Sequence, residues 1–164
     1  MAEVRVEKVA PADWARYRDV RLAMLLDAPR AFASTYAGTV RRTDEEWSAF
    51  VAGAHLWLAY AGGSPDPVGS IGMYAAPELP AGSAYLVGMW VAPAVRRLGV
   101  GTALVTAMLD AAREAGYTRV VLEVTDENGD ASRLYRAMGF EPTGQRGSLP
   151  WDATITEAQL ARDL

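Results

Sequence analysis

The chain has 164 residues, of which 51% are hydrophobic and 22% charged, and its formal net charge is -4 at pH 7. This length predicts a single domain over residues 1–164, with a core that needs neither a metal nor a disulfide. The sequence contains no cysteine and one histidine, His55. This excludes disulfide scaffolds, iron–sulfur proteins, thiolate zinc sites and cysteine nucleophiles, and it predicts no metal site.

The charge balance and the N-terminal residues predict the partners and the cellular location of the protein. A mildly acidic chain has no field that attracts nucleic acid or an anionic membrane. The N-terminal residues contain no apolar signal region, and no run of about 18 apolar residues occurs. We therefore expect a cytoplasmic protein that binds neither nucleic acid nor membrane, while a homodimer remains open.

Hydrophobic periodicity predicts strands and helices in the order β-α-α-β-β-β-α-β-α-β, followed by a tail, Thr154–Leu164, that fits a strand or a helical turn. The predicted elements are Val4–Val9 (strand), Pro11 to about Leu26 (helix), Asp44–Ala52 (helix), His55–Tyr60, Val68–Tyr74 and Leu86–Val91 (strands), a helix from Val100 that ends before Gly116, Arg119–Thr125 (strand), Asp130–Met138 (helix) and Phe140–Ser148 (strand). A hairpin meander before a β-α-β unit predicts a mixed sheet of the α+β or α/β type with helices on both faces.

The segment between the predicted fourth strand and the following helix has a composition typical of a phosphate site. It reads Arg96-Arg97-Leu98-Gly99-Val100-Gly101-Thr102. Its glycines let a ligand approach the backbone, and the first helical N–H groups lie at the positive end of the helix dipole. A P-loop needs a lysine before Thr102, and a dinucleotide-binding motif needs a glycine where Leu104 stands. A helix start that binds nothing remains an alternative.

The same segment resembles a signature of the GNAT superfamily of acyl-CoA N-acyltransferases. That signature is Arg/Gln-x-x-Gly-x-Gly/Ala after a strand that ends in Val-x-Pro. The chain has Val91-Ala92-Pro93 and then Arg96-x-x-Gly99-x-Gly101.

A second signature of this superfamily follows at the expected spacing. It is Asn-x-x-Ala-x-x-Leu-Tyr before a Gly-Phe turn, and the chain has Asn128-x-x-Ala131-x-x-Leu134-Tyr135 and then Gly139-Phe140. The close resemblance covers Leu86–Phe140 and implies the GNAT fold, a splayed mixed sheet with helices on both faces.

The resemblance also implies acetyl-CoA as the co-substrate, held where the fourth and fifth strands separate. The pyrophosphate is expected on the glycine segment, and the pantetheine arm along the fourth strand. The implied binding residues are Met89, Trp90, Val91, Arg96, Arg97, Leu98, Gly99, Val100, Gly101, Thr102, Asn128, Ala131 and Tyr135.

The reaction implied by the resemblance is direct attack of a primary amine on the thioester in a ternary complex. Tyr135 matches the family tyrosine that gives a proton to the leaving thiolate; the alternative is that it only packs in the core. Many relatives carry a carboxylate base on the fourth strand, where this chain has none. Glu123 is the predicted base, and Glu78, Asp27 and His55 are weaker candidates.

The sequence defines the chemistry of the acceptor less narrowly than that of the acyl donor. The tract Asp27–Tyr36 resembles an acceptor-side loop, in which Phe32 and Tyr36 would bind a small-molecule or peptide amine, unless they only seal the helices beneath them. Two other functions remain open: an acyl-CoA-binding sensor with little or no catalysis, and a dinucleotide-binding fragment.

Overall fold

The computed structural model describes residues 3–164 as seven strands and five α-helices. In chain order they are β1 (Val4–Lys8), α1 (Trp14–Asp27), α2 (Tyr36–Thr39), α3 (Asp44–Ala52), β2 (His55–Ala61), β3 (Gly69–Ala75), β4 (Ser83–Val91), α4 (Val100–Glu114), β5 (Arg119–Thr125), α5 (Gly129–Ala137), β6 (Glu141–Leu149) and β7 (Asp152–Asp163).

All seven strands form one sheet in the order β1-β2-β3-β4-β5-β7-β6. Only β4 and β5 pair in parallel, and the other neighbours are antiparallel. The crossover between the parallel strands is α4, as expected for a β-α-β unit. The prediction of a mixed sheet with helices on both faces is confirmed.

The two faces of the sheet are covered by different helices. On the α4 face, Val100, Leu104 and Met108 pack on the inward side chains of β2 to β5. On the α1 face, α1 and α3 pack on β2 and the end of β4 through Met24 and Trp47. Since side chains alternate along a strand, each strand contributes to both faces.

The pairing of β4 with β5 stops early. It consists of the three pairs Ser83–Arg119, Ala84–Val120 and Tyr85–Val121. Both strands continue beyond the last pair, β4 to Val91 and β5 to Thr125. The strands therefore splay apart in the middle of the sheet, which confirms the predicted splay; we call the gap the β4–β5 cleft.

Two segments, β4 and α2, differ from the sequence prediction, and in a third the structure selects one of two predicted alternatives. The strand β4 begins at Ser83, ahead of the predicted Leu86, because its early part pairs with β5. The ambiguous tail is the strand β7, which lies between β5 and β6 and pairs with both. The short helix α2 was not predicted; its N-cap is Thr35, whose side chain accepts the Gly38 N–H.

No helix within residues 3–164 has the length and apolar character to cross a membrane.

A substitution at Gly69 tests how closely β3 packs against β4 and α4. A Cβ at Gly69 would lie 2.8 Å from the Trp90 carbonyl oxygen and 3.0 Å from Leu104 Cδ1. Since a backbone oxygen cannot move aside cheaply, Gly69→Ala should lower the free energy of unfolding by about 1–3 kcal/mol, measured by urea denaturation.

The matched control is Gly63→Ala. A Cβ there meets nothing within 4 Å, and we expect a change within about 0.5 kcal/mol. Equal effects of the two substitutions would contradict the close packing of β3 against β4 and α4.

Candidate active site

The segment before α4 has two residues in left-handed backbone conformations. Arg97 has φ 64° and Gly99 has φ 86°. Gly99 is the N-cap of α4 and provides no capping side chain. The first helical hydrogen bond runs from the Ala103 N–H to the Gly99 oxygen at 3.0 Å. The N–H groups at the start of this helix thus lack helical acceptors, which is the arrangement that binds phosphate.

The two glycines of this segment have different structural roles. A Cβ at Gly99 would meet nothing within 4 Å, so glycine is favoured there by the left-handed conformation. A Cβ at Gly101 would lie 2.9 Å from Leu134 Cδ2. Gly101 therefore allows α4 to pack closely on α5, a role that the sequence analysis did not anticipate.

Arg96 links this segment to α1 and β4. Its Nη2 lies 2.5 Å from Asp27 Oδ2, and its Nε donates to the Val91 oxygen at 2.9 Å. The Trp90 indole N–H donates to the same Asp27 oxygen at 2.9 Å. Asp27, a weaker candidate for the base, is thus an anchor for two donors. The Trp90 side chain lies on the α1 face, so only the backbone of this predicted cofactor residue can reach the cleft.

The other residues of the segment are exposed to different extents. Arg97 pairs with Asp130 at 3.4 Å on the surface, and such a pair contributes little to stability. The Leu98 side chain is 53% exposed. Both residues are therefore accessible beside the start of α4.

A β-bulge at Gly88 shapes the wall of the cleft. The register with β3 shifts between Ser70 and Gly72, and Gly88 has φ +58°. The Ser70 hydroxyl donates to the Gly88 oxygen at 2.9 Å. Because the peptide bond is trans, the Met89 N–H points the opposite way, away from Ser70. The bulge therefore leaves one backbone donor directed away from β3.

The backbone of Val91 also faces the cleft. The Ala92 N–H donates to Val68 beside β3 at 2.8 Å. Since neighbouring residues of a strand direct their backbone groups to opposite edges, those of Val91 point away from β3. The hydrogen bond from Arg96 to the Val91 oxygen agrees with this direction.

Tyr135 lies on the α4 face. It is 5% exposed and packs edge-on against Phe140 at a centroid distance of 5.8 Å. Burial raises the pKa of the Tyr135 phenol, so the phenol is protonated at neutral pH. Asn128, two turns earlier, caps α5: its Oδ1 accepts the Ala131 N–H at 3.3 Å.

Glu123 lies on the α1 face, opposite Tyr135. The Tyr85 hydroxyl donates to Glu123 Oε1 at 3.1 Å, and Gln159 Nε2 donates to the same oxygen at 3.2 Å. Burial and the Glu123 charge raise the pKa of Tyr85 to about 12, so Tyr85 remains a donor. Because both bonds end on Oε1, Oε2 is left for another donor.

The polar groups around Glu123 extend to the end of β5. Glu157 on β7 pairs with Thr125 on β5, and burial together with the Glu123 charge raises the pKa of Glu157. The Thr125 hydroxyl belongs to a residue that is only 3% exposed, and it has no hydrogen-bond partner within the described residues. These groups form a polar border along β5 and β7.

Part of the α1 face carries no helix. Tyr74 is 44% exposed and Val87 is 38% exposed, although they belong to the inner strands β3 and β4. Tyr74 stacks on Tyr85 at 5.3 Å. We call this surface, formed by Tyr74, Tyr85, Val87 and Glu123, the open face. It has an apolar floor with a carboxylate at its β5 side.

Phe32 and Tyr36 pack half-buried against the α1 core, and their binding of an acceptor stays a prediction. The Phe32 oxygen accepts the Trp151 indole N–H at 3.0 Å, and Arg30 pairs with Glu127 at 2.8 Å. This tract therefore joins α1 to the other half of the sheet across the end of the cleft.

Arg21 lies beside the Gly88 bulge and was not predicted from the sequence. Its Nη1 lies 2.9 Å from the position of a Cβ at Gly88, and its Nη2 donates to Ser34 Oγ at 3.1 Å. The available signal was the spacing of Trp14, Tyr17, Arg21 and Met24, which places a charge on the apolar side of the first helix.

The other weak candidates for the base lie apart from these groups. His55 is exposed at the start of β2, two strands away from β4. Glu78 is exposed in the β3–β4 loop. Burial raises the pKa of Tyr74, and the charge of Glu78 raises it further. The cleft thus has, on its β4 side, a helix start whose N–H groups lack helical acceptors and a bulge with an N–H directed away from β3. The buried phenol of Tyr135 lies on the α4 face of the sheet and Glu123 on the α1 face. These groups suit acyl transfer from a phosphate-bearing thioester.

The chain is similar to known acetyltransferases in sequence and in fold. The family model described as acetyltransferase (GNAT) matches residues 22–140. A GNAT-family acetyltransferase from Streptococcus pneumoniae superposes with a TM-score of 0.82 at 20% identity, covering 99% of each chain. The Salmonella typhimurium acetyltransferase yncA, solved with acetyl-CoA, superposes with a TM-score of 0.76 at 17% identity over 99% of this chain and 94% of that one. At these identities the two structures show the fold alone.

N-acetyltransferase 8B of Rattus norvegicus is 38% identical over 95 residues, which are 57% of this chain and 42% of the relative. The chain spans about half, or less, of the length of the curated relatives it matches. The family model nevertheless covers most of the chain, and the fold and both motifs agree with it. The chain belongs to the GNAT acetyltransferase family.

Proposed function

We propose that this chain is an N-acetyltransferase that moves an acetyl group from acetyl-CoA to a primary amine by direct attack in a ternary complex. The observation that carries the proposal is the β4–β5 cleft, with the uncapped start of α4 and the Gly88 bulge on its β4 side. The superposition with yncA, whose structure contains acetyl-CoA, supports the choice of donor.

The residues of the cleft fit acetyl-CoA in chemistry and order. The N–H groups of Val100, Gly101 and Thr102 suit the pyrophosphate. The backbone edge at Met89 and Val91 suits the pantetheine amides, which pair as a strand would. Arg96 occupies the Val91 oxygen in the present structure, so we expect it to release this oxygen when the donor binds.

The chain supplies three groups to the reaction. The Met89 N–H stabilises the negative charge that develops on the thioester oxygen. Tyr135 donates its proton to the sulfur, and Glu123 accepts a proton from the amine, directly or through water. A C–N bond forms as the C–S bond breaks, and the products are an N-acetyl amine and the free thiol.

The positions of Tyr135 and Glu123 support separate roles. Tyr135 lies on the α4 face and Glu123 on the α1 face, so the leaving group and the amine approach from opposite sides of the sheet. A lysine-like amine, with a pKa of about 10.4, is almost entirely charged at neutral pH and must lose a proton before it attacks. This requirement is the reason for proposing a base.

An acyl-CoA sensor with weak catalysis is a second candidate. It is favoured by the absence of a carboxylate from β4 and by the two donors already bound to Glu123 Oε1. Tight acetyl-CoA binding with negligible turnover of every amine would select it. A single domain, a cytoplasmic location, a possible homodimer, and the absence of a metal and of nucleic-acid or membrane binding remain predictions.

The donor site can be tested by thermal unfolding with acetyl-CoA, with NAD as the control ligand. Acetyl-CoA at about 100 times its Kd should add about 2.7 kcal/mol, a rise in Tm of roughly 5–11 °C for a protein of this size. Gly99→Asp should abolish the rise, because it places a carboxylate at the phosphate position.

The matched control is Gly99→Asn, which has the same shape and tolerates the left-handed conformation equally well. It should keep most of the rise in Tm. A rise with NAD in place of acetyl-CoA would indicate the dinucleotide-binding alternative, and no rise at millimolar acetyl-CoA would contradict the assignment of the donor.

Tyr135→Phe removes the proton donor and keeps the packing against Phe140. We expect kcat to fall by about tenfold or more, measured by release of the CoA thiol, while the acetyl-CoA-dependent rise in Tm is retained. Since burial holds the pKa of Tyr135 above its ordinary value, the wild-type kcat should show no loss from this group between pH 7 and about pH 10. An unchanged kcat in the variant would remove Tyr135 from the mechanism.

Glu123→Gln keeps an oxygen for Tyr85 and Gln159 but removes the negative charge. We expect kcat at neutral pH to fall by about tenfold or more, with acetyl-CoA binding retained. Glu157→Gln is the control, since it removes a neighbouring charge from the same face; it should change kcat much less. Wild-type kcat in Glu123→Gln would exclude Glu123 as the base.

A further inference from the structure

We propose that Arg21 binds a carboxylate of the acceptor, and that the acceptors are therefore free α-amino acids. The attacked amine is then on the carbon next to the carboxylate. The identity of the attacked group rests on the proposed function, whereas the carboxylate site can be tested by binding alone.

Arg21 has a charge that the protein does not neutralise. It takes part in none of the ion pairs formed by residues 3–164. Its hydrogen bonds run to neutral atoms, Ser34 Oγ at 3.1 Å and Met24 Sδ at 4.0 Å. Burial lowers the pKa of Arg21, the neighbouring Tyr17 offsets part of this effect, and the like charge of Arg42 adds a smaller lowering. A half-buried cation without a counter-ion is costly, so the position suits an anion that arrives with a ligand.

The guanidinium lies at the reacting end of the open face. Its Nη1 is 2.9 Å from the place that a Cβ of residue 88 would occupy. Glycine at this position therefore serves two purposes: it permits the φ of +58° and leaves room for Arg21. The adjacent Met89 N–H is the proposed partner of the thioester oxygen, so an anion on Arg21 lies close to the attacked carbon.

A carboxylate next to the amine fits this geometry best. The two terminal nitrogens of a guanidinium match the two oxygens of a carboxylate. Ser34, which accepts a hydrogen bond from Arg21, has its own hydroxyl hydrogen to donate to the same anion. In a peptide, the carboxyl group on the carbon next to the N-terminal amine is part of a neutral amide. The site therefore favours free amino acids over peptides.

The open face provides room for the amino-acid side chain. Tyr74 and Val87 offer apolar contact, and Glu123 lies at the border beside β5. The residues that hold the carboxylate and those that meet the side chain are thus on different elements. We expect recognition of the backbone carboxylate with a tolerance for several side chains.

The first test compares acceptors that differ only in the carboxylate: L-phenylalanine with phenethylamine, and L-lysine with cadaverine. The CoA thiol released gives kcat/KM for each. The wild type should favour the carboxylate member of each pair by about tenfold to a hundredfold, the range of a charged hydrogen bond. Arg21→Gln should bring this ratio close to one, with Arg21→Lys between the two.

Arg16→Gln is the matched control, because Arg16 is an exposed arginine of the same helix bonded to the Tyr60 hydroxyl. It should keep the wild-type ratio. Arg21→Gln should not lower the Tm of the free protein, because it removes an unpaired half-buried charge. If Arg21→Gln lowers kcat equally for both members of each acceptor pair, Arg21 acts on the thioester oxygen and the proposal is overturned.

The second test measures binding without turnover. The Tm of the protein with CoA is measured with each of the twenty amino acids and with the same two amines. Amino acids should raise Tm in the wild type and not in Arg21→Gln. If amino acids raise the Tm of the wild type in this way while no amine is acetylated, the result supports the carboxylate site and contradicts the proposed function. If no amino acid raises Tm more than the amines do, the proposal is overturned.

Discussion

The unpaired edge of β4 is the constraint on which the rest of the site depends. A strand inside a sheet normally exchanges hydrogen bonds with both neighbours, and buried backbone groups without partners are costly. Here β4 leaves β5 after Tyr85, and the bulge at Gly88 adds a backbone N–H that points away from β3. An extended ligand with its own amides satisfies such an edge. We therefore propose that the pantetheine arm of the donor pairs with this edge as an added strand would.

The splay also separates the chemistry onto two faces. Tyr135 belongs to the core beneath α4, where burial keeps its phenol protonated. Glu123 and Arg21 lie on the other face, one at the border beside β5 and the other beside the bulge. In our proposal, a donor in the cleft meets Tyr135 as the acid on one side and, on the other, a surface that carries both Glu123 and Arg21. In the proposed mechanism, this division lets the two substrates approach the sheet from different sides.

The sequence predicted the parts of the molecule that have local signals. The helix that begins at Val100 and ends before Gly116 follows from its hydrophobic periodicity and from helix-end chemistry, and the structure has both ends. Gly116 lies in the left-handed conformation that such a helix end requires. The tail and the early start of β4 could not be predicted, because their strand pairing involves residues distant in the chain. Arg21 stood on the apolar side of its helix in the sequence, but its contact with Gly88 exists only after folding. The roles proposed for Tyr135 and Glu123 remain predictions.

Amide hydrogen exchange with and without acetyl-CoA tests the central claim most directly. If the donor pairs with the open edge of β4 and rests on the start of α4, exchange should slow at Met89 and Val91 and at residues 100–102. The edge strand β1, which lies three strands from β4, should exchange as before. Protection confined to other parts of the sheet, or none at saturating acetyl-CoA, would contradict the account.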